Sequence, residues 1–119
     1  MTNEVAAAPE AEQARVIDAF HDLYYNGRRG EGPIFQRTRW LGVQCLKCPL
    51  DLWIYQELLH ELRPDLVIET GTHEGGSALF LAHVMDALGH GRIASIDVRP
   101  AVRPTHHRIT YVLGSSTGR

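Results

Sequence analysis

Cysteine, clustered basic residues and long apolar runs are all scarce in this chain, and each scarcity closes off a class of function. Among 119 residues only Cys45 and Cys48 carry thiols, and no second spaced pair exists to complete a four-ligand structural zinc site. The redox use of Cys-x-x-Cys belongs at a helix start after a strand, and one pair alone is a thin basis for it; the thiols read as reduced and partly buried. A net charge of -2 and a pI near 6.4, with no basic stripe, argue against a nucleic-acid partner. No apolar run approaches the roughly 18 residues of a membrane span, and Met1 to Pro9 lacks the basic start and apolar core of a secretory signal. The expectation is cytoplasmic small-molecule chemistry in one small α/β domain.

What the chain does have is a single organising stretch. Leu66-Val67-Ile68-Glu69 is an apolar run ending in a carboxylate, Thr70 to Gly76 is a glycine-rich turn, and Ala78, Leu81, Ala82 and Met85 follow at helical spacing. This reads as a strand buried on both faces, a ligand-binding turn, and a helix from Gly76 to Leu88. Glycines at 71, 75 and 76 permit positive φ and close approach of a ligand, while the helix start offers free N–H groups to a polar or anionic guest. A dinucleotide fingerprint is weakened because His73 stands where its second glycine belongs, and a P-loop fails because Ser77 replaces its lysine. The remaining pattern is Glu69-x-Gly71-x-x-x-Gly75-x-Ser77.

Around this stretch the chain divides into residues 1–10, disordered; 11–62, helical with a glycine-rich linker; and 63–119, a nucleotide-type α/β segment. Ala11 to Tyr25 reads as a packing helix with Ala14, Ile17, Phe20, Leu23 and Tyr24 on one face, stopped by Asn26-Gly27. Arg28 to Pro33 is a polar linker. Pro49 to Leu62 reads as a second helix with Leu52, Tyr55, Leu59 and Leu62 as its stripe and Trp53 as packing. Arg92 to Asp97 and Ile109 to Leu113 read as further strands, so Leu66 to Asp97 forms a parallel strand–helix–strand crossover. Asp97 then sits at a carboxyl strand end beside the turn, where a carboxylate can accept from two ribose hydroxyls; the alternative is an aspartate that caps a turn before Pro100. Ser115 and Ser116 follow the last strand and suit either the adenine side of a nucleotide or a plain loop. His106 and His107 fall at the opposite end of the sheet and, with His60, His83 and His90, read as exposed.

The turn Glu69-x-Gly71-x-x-x-Gly75-x-Ser77 is similar to that of class I S-adenosylmethionine (SAM) methyltransferases. Together with Trp40-Leu41-Gly42, Lys47-Cys48-Pro49-Leu50-Asp51-Leu52-Trp53, Arg63-Pro64-Asp65, Ser95-Ile96-Asp97 and Arg108-Ile109-Thr110-Tyr111, it resembles the cephalosporin hydroxylase and rhamnosyl O-methyltransferase family over Trp40 to Gly118. The resemblance implies a Rossmann-like fold truncated to N-terminal helices plus the first three parallel strands, with SAM as cofactor and methyl transfer to a hydroxyl of a glycolipid sugar or other metabolite. It further implies that Glu69 braces the turn near the sulfonium and that Gly71, Thr72, His73, Gly75 and Gly76 line the cofactor. Ser77 would meet its methionine carboxylate, Asp97 its ribose, and Ser115 and Ser116 its base. Family members resemble magnesium-dependent enzymes whose ligands lie on later strands, so neither a metal ligand nor a catalytic residue is assigned in this chain, which reads as the N-terminal part of a larger enzyme, inactive alone.

Two other classes stay open: a nicotinamide-type oxidoreductase fragment, and a non-catalytic module or homo-oligomer pairing through the free edge of the first strand. Oxygenase chemistry is set aside, since no His-x-Asp or His-x-Glu pair occurs for an iron facial triad.

Overall fold

A computed structural model describes residues 9–27 and 32–118, which fall into two compact units divided between residues 35 and 36. Of the disordered start expected for residues 1–10, residues 1–8 lie outside the described residues, as does most of the expected linker, while Glu10 already begins a helix. In the first unit, α1 spans Glu10–His21 and passes into a π-helical turn, Asp22–Asn26. Its rings form a chain: Phe20 stacks on Tyr24 at 5.8 Å, and Tyr25 meets Phe35 at 5.4 Å. Of the face expected to pack, Tyr24 is buried while Ile17, Phe20 and Leu23 are exposed.

In the second unit, β1 (Arg39–Trp40) and β2 (Val43–Gln44) form an antiparallel hairpin. Leu41 and Gly42 join them, both at positive φ (45° and 82°), the pattern of a two-residue primed turn whose twist matches the strands. Helix α2 (Pro49–Leu62) starts with proline at its first position and ends at Arg63 in the left-handed region, φ 44°. Helix α3 (Gly76–Leu88) runs between left-handed Gly75 and Gly89.

Strands β3 (Leu66–Thr70), β4 (Arg92–Asp97) and β5 (Ile109–Leu113) pair in parallel in that order, leaving β3 at an edge. Register places Val67, Ile93 and Ile109 in one row and Glu69, Ser95 and Tyr111 in the next. The first row is packed by α2 and α3 through Leu52, Leu59, Phe80, Leu81, Ala82 and Met85, which form one core with Ile93 and Cys45. Both thiols are free and buried.

The apolar run ending at Glu69 was expected to form a strand buried on both faces; β3 is partly buried on one and exposed on the other. Side chains alternate across a strand, so Val67 and Glu69 turn toward the helices while Leu66 and Ile68 turn away, and Ile68 is 64% exposed. Trp53, expected to pack, is 67% exposed, and Leu62 is likewise exposed.

Candidate functional site

The carboxyl ends of β3 and β4 and the start of α3 converge on the glycine turn, the place where open parallel sheets take ligands. Gly71 leaves β3 at φ 81°, with its N–H donating to Ile96 O at 2.8 Å. Thr72 turns inward and is buried. His73, a non-glycine residue, holds φ 51°, and Gly75 closes the turn at φ 89° with its N–H on Thr72 O at 2.9 Å.

Asp97 fixes the His73 peptide. Its Oδ2 accepts from His73 N at 2.8 Å and its Oδ1 from Arg99 N at 3.0 Å. Those two backbone donors, Arg99 first and His73 second, hold the carboxyl below the usual aspartate range. The turn cap considered from sequence is thus observed: the Asp97 side chain caps residues 97–99, braces the turn, and stands ionised at a strand end.

A second set of bonds braces the strands. Ser95 Oγ, fully buried, lies 2.8 Å from Glu69 Oε1 and 2.7 Å from Thr72 Oγ1. Glu69 is therefore tied sideways to β4, and Thr72 is drawn under the turn. From the hairpin, Gln44 Oε1 meets His73 Nε2 at 3.0 Å.

The three glycines are not equivalent. A Cβ on Gly76 would stand 2.3 Å from Gln44 O, so this position is closed by the chain itself; one on Gly75 would meet Pro104 Cδ at 3.1 Å and Tyr111 OH at 3.3 Å. Only Gly71 faces open space, with nothing within 4 Å of its would-be Cβ. The turn proper encloses about 80 Å³ against Gln44, Cys45 and Lys47. Ser77 links it to a larger groove of about 430 Å³ along the edge of β3, lined by Tyr55, Leu58, Leu62, Ile68 and Glu69. That volume reaches the size of small-ligand sites, whereas the turn alone does not.

Ser115 and Ser116 follow β5 beside Asp97, where Gly114 N donates to Asp97 O at 2.9 Å. Ser115 Oγ bonds Thr117 Oγ1 at 2.7 Å, and Ser116 is exposed. The two serines are thus not joined to the turn by any side-chain bond among the described residues.

Arg103, which sequence reasoning missed, lies under this turn. Its side chain is 9% exposed, its Nε donates to His73 O at 2.7 Å and its Nη2 to Arg99 O at 3.1 Å. No spacing rule marks it. Ser95 carried a faint signal, a hydroxyl in the middle of an apolar strand.

The histidines expected to be exposed are not all so. Trp40 Nε1 donates to His83 Nδ1 at 2.9 Å, and His106, its side chain 11% exposed, bonds Asp86 Oδ2 through Nε2 at 2.8 Å. Asp86, His106 and His107 bring three potential metal ligands together, but Arg108 Nε already donates to Asp86 Oδ1 at 2.7 Å. His106 Nδ1 accepts from Arg108 N at 3.0 Å, so Nε2 carries its proton. Two imidazoles and a guanidinium do not make the oxygen-rich shell that magnesium requires.

Comparison with known proteins agrees with this fold. The sequence profile of the family Rhamnosyl O-methyltransferase/CmcI matches residues 33–119. The rhamnosyl O-methyltransferase of Mycobacterium leprae (strain TN) is 42% identical over 84 residues, 70% of this chain and 34% of that protein. The rhamnosyl O-methyltransferase of Mycobacterium tuberculosis (strain ATCC 25618 / H37Rv) is 36% identical over 107 residues, 86% of this chain and 42% of that protein. This chain therefore spans about a third to two fifths of the curated relatives it matches. A solved CmcI structure labelled Mg-SAM superposes with a TM-score of 0.65 at 22% identity, over 98% of this chain and 48% of that one. Another, labelled SAH, gives 0.64 at 24% identity, over 98% and 58%. These likenesses establish an α/β methyltransferase-type fold with three parallel strands, and with the profile match they lead to one statement: the chain belongs to the Rhamnosyl O-methyltransferase/CmcI family.

Proposed function

We propose that this chain supplies the SAM-binding half of an O-methyltransferase acting on a hydroxyl of a small molecule, a glycolipid sugar or another secondary metabolite. The observation that carries the reading is the open face of Gly71 in a turn braced by an ionised Asp97. Backbone can be approached there, and a vicinal diol can be received, at the end of a parallel sheet. Glu69 and Ser77 face the groove beside it; Thr72, His73, Gly75 and Gly76 shape the turn, and Ser115 and Ser116 flank Asp97. When bound, SAM supplies an electrophilic methyl group. The chain's own part is to hold the nucleoside end in place so that the acceptor can be aligned with it. The donor set near Asp86 does not fit magnesium, so no step is assigned to a metal.

The nicotinamide reading is less well supported, because His73 occupies the place of the second glycine and its side chain is anchored on Gln44. Among the described residues no helix is long and apolar enough to cross a membrane, and two free buried thiols suit a reducing cytoplasm. Among the described residues no strand pairs with the outer edge of β3, which supports homo-oligomer pairing.

Isothermal titration of the chain with S-adenosylhomocysteine, beside NAD, tests the proposal. Heat with the former that is lost in Asp97→Ala is expected; binding of NAD alone would overturn it.

A further inference from the structure

His73 is the strained point of the glycine turn. A non-glycine residue at φ 51° is strained and keeps that shape only when its surroundings impose it. Two groups impose it here, one at each end of the residue. Asp97 Oδ2 accepts from the N–H at 2.8 Å, and Arg103 Nε donates to the C=O at 2.7 Å. The same two side chains also hold Arg99: its N–H goes to Asp97 Oδ1 at 3.0 Å and its C=O receives Arg103 Nη2 at 3.1 Å. Asp97 and Arg103 thus close a ring through two backbone residues, with their charged ends 3.5 Å apart.

The ring is held from below. The Arg103 guanidinium lies 5.9 Å from the centre of the Tyr111 ring, and Tyr111 OH donates to Pro104 O at 2.6 Å, pinning the loop that carries Arg103 to β5. With its side chain 9% exposed and two of its nitrogens on separate carbonyls, Arg103 is not presented to solvent as an anion receptor. A lysine in its place would keep the charge but could not serve two carbonyls with a rigid fork.

We propose that Arg103 is a positioning residue that locks the His73 peptide and so orients the Asp97 carboxylate for a vicinal diol, setting the chain's discrimination for the ribose of its nucleoside ligand. The inference rests on the SAM-site reading for the identity of the ligand, but not for the lock itself. Without Arg103, His73 relaxes toward negative φ, its N–H leaves Asp97, and the carboxylate turns with it.

Two measurements on Arg103→Lys test this. The first needs no ligand: amide hydrogen exchange at His73 is expected to quicken roughly tenfold or more, while Gly71, whose N–H is bonded to Ile96 O, keeps its protection. Unchanged protection at His73 overturns the proposal. The second compares S-adenosylhomocysteine with its 2′-deoxy analogue. The wild-type preference for the diol is expected to fall about tenfold in Arg103→Lys, with the deoxy analogue's affinity little changed; a merely structural role would weaken both alike and leave the ratio intact, which overturns the proposal. If the wild-type chain binds neither nucleoside, the SAM-site reading fails and the exchange result alone decides whether Arg103 is the lock.

Discussion

Helix propensity and packing predict opposite outcomes for Gly76→Ala, which makes it the sharpest test of how the turn is built. Alanine is favoured over glycine by up to about 1 kcal/mol inside a helix, less at its first position, and α3 begins at Gly76. Against this, a Cβ there would lie 2.3 Å from Gln44 O, 2.7 Å from Gln44 C and 2.8 Å from Cys45 Cβ. Two of those atoms are backbone, so no rotamer change relieves them and the strand end after the hairpin must move off the helix. Overpacking of that kind costs about 1–3 kcal/mol, sometimes more. A net loss of that order in a unit of this size lowers Tm by roughly 4–20 °C. Thermal denaturation followed by circular dichroism measures it, with Gly89→Ala as the comparison: Gly89 has φ 68° but nothing within 4 Å, so only backbone strain of about 1 kcal/mol applies. Gly76→Ala should be the worse of the two. If it is as stable as the wild type or more so, the close approach of Gln44 to α3 is wrong.

Acid sensitivity follows from Asp86, whose carboxyl is held below its ordinary value of 3.8 first by Arg108 and then by His106. A depressed folded value means that the stabilisation is complete above the ordinary value and is lost as pH falls through the depressed one. Tm should therefore decline as pH falls below the ordinary value of 3.8, and Asp86→Asn should flatten that decline; an identical profile in the variant would contradict the assignment. Ile68→Ser changes a side chain on the bare face of the edge strand, so stability should shift by no more than about 0.5 kcal/mol. Sedimentation velocity should show concentration-dependent association in the wild type that weakens in this variant, and a wild type that stays monomeric at every concentration would remove β3 as a pairing edge.

The elements that define the fold are legible because several local signals coincide in each. Pro49 at a helix start, Gly89 at a helix end and the apolar run at Leu66 place α2, α3 and the three parallel strands at the residues observed. The β1–β2 hairpin is not legible. Its strands are two residues long and its turn is Leu41-Gly42, where leucine takes a positive φ that asparagine or glycine normally signals. The exposed face of β3 is not legible either, because an apolar run reveals hydrophobicity but not whether a second layer covers it. At the site, Gly71 and Asp97 follow from the turn pattern and strand ends. Arg103 does not, since its place depends on how a loop without periodicity folds back on Tyr111 and His73. His106 was hidden for the same reason, its partner Asp86 lying on a different element.

The central claim is that the glycine turn with Asp97 receives a SAM-type nucleoside, and the most direct measurement is an amide ¹H–¹⁵N titration of the chain with S-adenosylhomocysteine. The account predicts the largest shifts at Gly71, His73 and Arg99, whose amides line or brace the open face, and little change at Asp86 and Arg108. Binding whose shifts centre on α1 or on the Asp86 cluster, with the Gly71 turn silent, would contradict it.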